Sequence, residues 1–236
     1  MIRNLRMAKC RLSPSLRAMS QLASFLDPQS VSLKVCGVTN EADAQGLADL
    51  RVDAIGVNFW PGSPRHVAST DVAWLSSLKG RILRVGVFVN APTELPMRLF
   101  RDGLIDLVQL HGDETPTDAA VFREARIPFI KAIGVKTLAD LERVEDFGAS
   151  AILLDAHAPG VYGGTGETFE WNTALDFKSR HPHLPLILAG GIKPENAARA
   201  AEMLHPSALD VASGAESSPG IKDFDKVRGL LRALNR

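Results

Sequence analysis

Eight short apolar runs rich in β-branched residues recur between residues 32 and 214, separated by Ala- and Leu-rich stretches of helical period. The runs are SLKVCGV (32–38), AIGVNFW (54–60), ILRVGVFV (82–89), LVQLHG (107–112), FIKAIGV (129–135), AILLDA (151–156), PLILAG (185–190) and ALDVASG (208–214). Between them, ADAQGLADL (42–50), DVAWLSSL (71–78), DAAVFREA (118–125) and ENAARAAEML (195–204) space apolar residues three and four apart, as a helix lying on a sheet does. Strands alternating with helices need crossover connections, which are right-handed and build a parallel sheet. Eight such units in about 205 residues predict an α/β chain folded as a single (β/α)8 TIM barrel of eight parallel strands. An open doubly wound sheet is the alternative, and the absence of GxGxxG after the first run argues against it.

Composition removes several function classes. The 27 basic and 27 acidic side chains cancel, so no overall field favours nucleic acid or an acidic membrane surface. No apolar run approaches the roughly 18–20 residues that span a bilayer. Cys10 and Cys36 are far apart, with no CxxC and no His/Cys metal spacing, which speaks against a disulfide framework or a structural zinc site. Such usage fits a reducing, cytoplasmic setting, where a lone cysteine is either an inert small hydrophobe or a chemical group. Residues 1–30 carry Arg3, Arg6, Lys9, Arg11 and Arg17 against the single acid Asp27, with no regular apolar period. That composition also describes an organellar transit peptide. The expectation is an irregular N-terminal extension, disordered or mis-started at Met7 or Met19, ahead of a catalytic barrel over 31–236.

In such a barrel the chemistry sits at the C-terminal ends of the strands. Cys36 ends the first run and Asp155 the sixth, and alternation points both into the mouth, with Lys34 and Leu153 below them. A thiol and a carboxyl across one pocket make an acid–base pair. Activating a thiol of pKa ~8.5 takes about 2 kcal/mol of bias from a cation or a helix N-terminus. Asp155, to act as an acid, must be held protonated; its other reading is a helix cap. Glycines follow the seventh and eighth runs, Gly190 and Gly191 in LAGGIKPEN (188–196), and Gly214 after Ser213 in VASGAESSPGIKD (211–223). Either these are two ordinary turns, or their N–H groups converge on a phosphate dianion. Arg65, in PGSPRHV, is either a solvated arginine or a clamp for a planar carboxylate. His111 either orients substrate or caps its loop. His181 and His183, before the seventh run, read as surface residues at the far end. Lys34 and Asp210 have the parity for an interior ion pair beneath Cys36.

Together, KVCGVT, GVNFWPGSPRHV, VGVFVN, VQLHGDE, LLDA, GGTGETFEW, LAGGIKPENA and LDVASGAESSPGIKD resemble, in order, the motifs of the phosphoribosylanthranilate isomerases of tryptophan biosynthesis, over about residues 32–230. Asn58, where an apolar residue is usual, and Glu170, where Asp is commoner, are small departures. The resemblance implies an Amadori rearrangement of N-(5-phosphoribosyl)anthranilate by general acid–base catalysis, with no redox cofactor and no metal. It assigns Cys36 as base and Asp155 as acid. It puts Arg65 on the anthranilate carboxylate, Gly190, Gly191, Ser213 and Gly214 on the phosphate, and His111, Asp210 and Gly164 in the substrate site, with a loop at 163–168 closing over it. The implied partner is a small phosphosugar–anthranilate substrate, with no nucleic acid and no membrane, for a monomer or homodimer. Two rivals remain: the related aldose–ketose isomerase of histidine biosynthesis, whose paired aspartates Cys36 argues against, and a non-catalytic phosphosugar-binding barrel.

Overall fold

A computed structural model describes residues 14–135, 141–156 and 171–236. The eight expected runs are strands: β1 (Ser32–Cys36), β2 (Ala54–Asn58), β3 (Leu83–Phe88), β4 (Leu107–Leu110), β5 (Phe129–Val135), β6 (Ala151–Ala156), β7 (Leu186–Leu188) and β8 (Ala208–Val211). They close into a barrel in chain order, every pairing parallel, with β8 returning to β1 at the register Lys34 to Asp210. Both faces of each strand are covered, which is why the runs are continuously apolar and do not alternate with polar residues. Leu33, Val35, Ile55, Val57, Ile152, Leu154, Leu209 and Val211 belong to the outer core beneath the helices, whereas Ala54, Leu83, Val85, Leu107, Ile130, Leu153, Ile187 and Ala208 fill the interior.

Of the expected N-terminal extension, the described part begins at residue 14. Pro14–Phe25 form helix α1, and Phe25, 1% exposed, joins the interior cluster with Leu22 and Leu26 against it. Ala54, Ala151 and Ala208 open their strands at the floor of the barrel, and such small side chains leave the volume that one aromatic ring fills.

Helix α2 (Glu41–Asp49) starts at Asn40, whose side chain accepts from the Asp43 amide. The segment expected as a helix at 71–78 is a 3-10 helix, Ala73–Leu78. Its buried residues Val72, Leu75 and Leu78 recur every three positions, the 3-10 repeat. Helix α3 (Glu94–Arg101) was not expected from the sequence. Helix α4 (Pro116–Glu124) follows a capping box of Thr115 and Asp118. A 3-10 turn (Val144–Phe147) precedes β6, and α5 (Trp171–Arg180) and α6 (Pro194–Leu204) flank β7. After β8 a 3-10 turn (Ser213–Ala215) leads into a small antiparallel hairpin, β9 (Glu216–Ser218) and β10 (Ile221–Lys222), and then α7 (Phe224–Ala233).

His181 corrects the surface reading: it is 9% exposed, 2.7 Å from Glu145 through Nδ1 and packed on the Phe177 ring, whereas His183 is open to solvent.

Candidate active site

Strand parity brings Lys34 and Cys36 of β1 to the inner face, one above the other. Lys34 is fully buried and donates to Asp210 of β8 at 2.9 Å, the interior pair expected from the sequence. Gly56 lies opposite Cys36 on β2, where a Cβ would stand 2.7 Å from the Cys36 Sγ and 3.0 Å from the Lys34 Nζ. Ammonium and thiol therefore meet over a residue that has no side chain. Burial pushes the Cys36 thiol above its ordinary value; Lys34 and Lys222 pull it down, and Asp210 adds to the rise. The cations that the sequence reading asks for are present, yet burial outweighs them and keeps the thiol above its ordinary value.

Arg65 follows β2 and crosses to the hairpin. Its Nε donates to both oxygens of Glu216, at 2.9 and 3.0 Å, and its Nη2 to Oε2 at 2.7 Å. Its aliphatic stem passes over Gly37, whose φ of +75° and missing Cβ make that approach possible. Glu216 also accepts from Lys222 Nζ at 2.6 Å and from the Gly220 amide at 3.1 Å. Burial alone raises its carboxyl, but the bonds from Arg65 and Lys222 prevail and hold it below the usual carboxylate range.

Asp155 occupies the inward position near the end of β6, 5% exposed. His111, just past β4, points Nε2 at Asp155 Oδ2 across 3.4 Å, and its Nδ1 is 2.8 Å from Gln109 Nε2. With the Gln109 amide donating, the imidazole carries its hydrogen on the nitrogen that faces Asp155. Buried Lys131 steadies this loop, donating to Gly112 O and Glu114 Oε2 at 2.7 Å each, while Glu114 accepts from the amides of Asn90 and Gly112.

The glycine turns after β7 and β8 lie side by side. Gly190 and Gly191 have φ of +85° and +66°, and a Cβ on Gly214 would collide with the Ile192 carbonyl. Gly191, Ser213 and Gly214 line one pocket of about 360 Å³ with Lys193 and Asn196 at the start of α6 and Lys226 of α7. An α-helix N-terminus, glycine amides and two lysines form a suitable site for a dianion.

The structure therefore brings together Cys36, Arg65 and Asp210 on one side of the mouth, Asp155 and His111 on another, and the glycines beyond β7 and β8. Gly164 and the loop at 163–168 lie outside the described residues. Gly37, Gly56, Gln109, Glu216, Lys222 and Lys226 were missed by sequence reasoning. Only the AESSPGIKD segment around Glu216 and Lys222 offered a signal, through its place after the eighth run. Among the described residues, no group of three or more His, Cys, Asp or Glu side chains is arranged to hold a metal.

The sequence profile of the N-(5'-phosphoribosyl)anthranilate (PRA) isomerases matches residues 33–233. The chain belongs to this family. The PRA isomerase of Geobacter sulfurreducens is 42% identical over 205 residues, 86% of this chain and 97% of that protein. The crystal structure of phosphoribosyl anthranilate isomerase from Thermotoga maritima superposes with a TM-score of 0.78 at 35% identity, covering 87% of this chain and 98% of that one. A crystal structure of a phosphoribosyl anthranilate isomerase in complex with reduced 1-(o-carboxyphenylamino)-1-deoxyribulose 5-phosphate superposes with a TM-score of 0.75 at 34% identity, again over 87% and 98% of the two chains. PRA isomerase activity, an Amadori rearrangement in tryptophan biosynthesis, is the function this membership gives the chain. Among the described residues, no helix of this PRA isomerase is long and apolar enough to cross a membrane.

Proposed function

We propose that Cys36 and Asp155 are the base and acid with which this PRA isomerase converts N-(5'-phosphoribosyl)anthranilate to 1-(2-carboxyphenylamino)-1-deoxyribulose 5-phosphate. The observation that carries the assignment is the pairing of inward Cys36, held against Lys34 over Gly56, with inward Asp155 on β6. Protonated Asp155 gives its proton to the furanose ring oxygen, and the sugar opens to a Schiff base. Thiolate Cys36 then removes the proton from C2, giving an enolamine. Tautomerisation adds a proton at C1 and releases one from the C2 hydroxyl, so the turnover consumes none. Thiolate with carboxylic acid carries the same number of protons as thiol with carboxylate. The reactive share of the pair is therefore set by the charges around it, and Lys34 and Lys222 raise that share.

Arg65 grips the anthranilate carboxylate, and the pocket of Gly191, Ser213 and Gly214, with Gly190 beside it, holds the 5'-phosphate. His111 steers Asp155 through Nε2, and Asp210 works through Lys34. A free Cys36 in a biosynthetic enzyme suits the reducing cytoplasm. The test is the decay of anthranilate-type fluorescence when protein is added to freshly generated PRA. Rapid decay with wild type and none with Asp155→Asn supports the assignment; a folded wild type that leaves the signal unchanged overturns it in favour of a phosphosugar-binding barrel.

A further inference from the structure

The hairpin that follows β8 has no part in the acid–base scheme, yet it holds a buried charged hub. Glu216, with its side chain 3% exposed, takes the Nε–Nη2 edge of Arg65, the ammonium of Lys222 and the amide of Gly220. Lys222, fully buried, donates from the same ammonium to the carbonyl oxygen of Cys36 at 2.6 Å. The hub is fixed from outside too: the Lys222 amide donates to Asp43 at 3.0 Å and Lys226 donates to the Glu216 carbonyl at 2.6 Å. Among the described residues, the Nη1 atom of Arg65 has no hydrogen-bond partner, which leaves the Nη1–Nη2 edge for a second carboxylate.

A free arginine side chain gives up rotamer entropy when it binds a ligand, whereas one already clamped by a bidentate carboxylate has lost it on folding. The charges around Cys36 are Lys34 of β1, Arg65 after β2, Asp210 of β8, Glu216 of β9 and Lys222 of β10: three cations and two carboxylates. A thiolate at Cys36 makes that set neutral. Asp155 and His111 face it from across the mouth.

We infer that Glu216 and Lys222 are positioning residues of the isomerase: Glu216 presets Arg65 so that its open edge meets the substrate carboxylate, and Lys222 ties the hairpin to Cys36 and supplies a charge that favours the thiolate. The inference deepens the proposed roles of Arg65 and Cys36 and rests on them. An opposite role for Glu216, as a competitor that occupies Arg65 until substrate displaces it, gives the reverse kinetic sign.

The experiment measures kcat and KM for PRA with wild type, Glu216→Gln, Glu216→Asp, Arg65→Ala and Arg65→Ala/Glu216→Gln, with circular dichroism on each. Glu216→Gln should raise KM about tenfold or more while kcat stays within about threefold, Glu216→Asp should recover part of the loss, and the double variant should be no worse than Arg65→Ala. An unchanged or lowered KM in both folded Glu216 variants overturns the role of Glu216. A wild type without turnover overturns the underlying assignment instead. Lys222 is tested without turnover, by the pH dependence of iodoacetamide alkylation of Cys36 in a Cys10→Ser background. Lys222→Met should move the midpoint up by about one unit and Lys222→Arg should restore part of it; coincident midpoints for Lys222→Met and wild type overturn the role of Lys222.

Discussion

Cys36 sits where its chemistry depends on residues that carry no reactive group. Gly56 admits Sγ and Nζ to the same space, so Gly56→Ala should press on both and lower kcat about tenfold or more, with a loss of roughly 1–3 kcal/mol in unfolding free energy measured by urea titration. Cys36→Ser and Asp155→Asn should each lower kcat at least about 100-fold with milder effects on KM, and an unchanged kcat would remove that residue from the mechanism. Because burial outweighs the neighbouring cations, wild-type Cys36 should alkylate with a midpoint above that of an ordinary thiol. A midpoint at or below the ordinary value would show that the cations match or outweigh burial, and only one below neutral pH would make thiolate the resting form of substrate-free Cys36. At this scale the sequence marked Cys36 and Asp155 as candidates through their place at run ends. It did not show Glu216 or Lys222, because a charged residue in a polar loop reads as solvated until the fold buries it.

Elements decide what surrounds those residues. α1 closes the floor of the barrel through Phe25, so Phe25→Ala should cost about 3–5 kcal/mol in unfolding free energy while KM for PRA stays unchanged, since the floor lies opposite the mouth. Equal stability of Phe25→Ala and wild type would show that α1 merely rests on the barrel. The hairpin adds an acid-sensitive element. Glu216 titrates below its unfolded value, so its contribution is fully present above about pH 4.3 and is lost as pH falls through the lowered value. Glu216→Gln should therefore flatten the acid side of a Tm-against-pH curve. Strands were readable because covered parallel strands are continuous apolar runs. The 3-10 helix Ala73–Leu78 was misread as α-helical because Val72, Leu75 and Leu78 fit both periods over so short a span. α3 was missed because Pro96 and two arginines break its apolar pattern within eight residues.

Over the whole molecule, buried ion pairs join distant segments. Arg84 of β3, fully buried, holds Asp106 through Nε and Nη2 at 2.8 and 2.7 Å and also donates to the carbonyls of Leu75 and Gly103. Asp106→Ala would strand that guanidinium, at a cost of about 3–5 kcal/mol. For a chain of this size the loss corresponds to a fall of roughly 6–20 °C in Tm by calorimetry. Local pattern by itself determined the eight strands, their parallel order, the inward register of Cys36 and Asp155, and the glycine turns, because each follows from residues a few positions apart. Tertiary structure alone decided that Phe25 plugs the floor, that Glu216 grips Arg65 across 151 positions and that Lys222 reaches Cys36 across 186. Such contacts form when the barrel closes and takes these charges out of water, where a partner becomes obligatory.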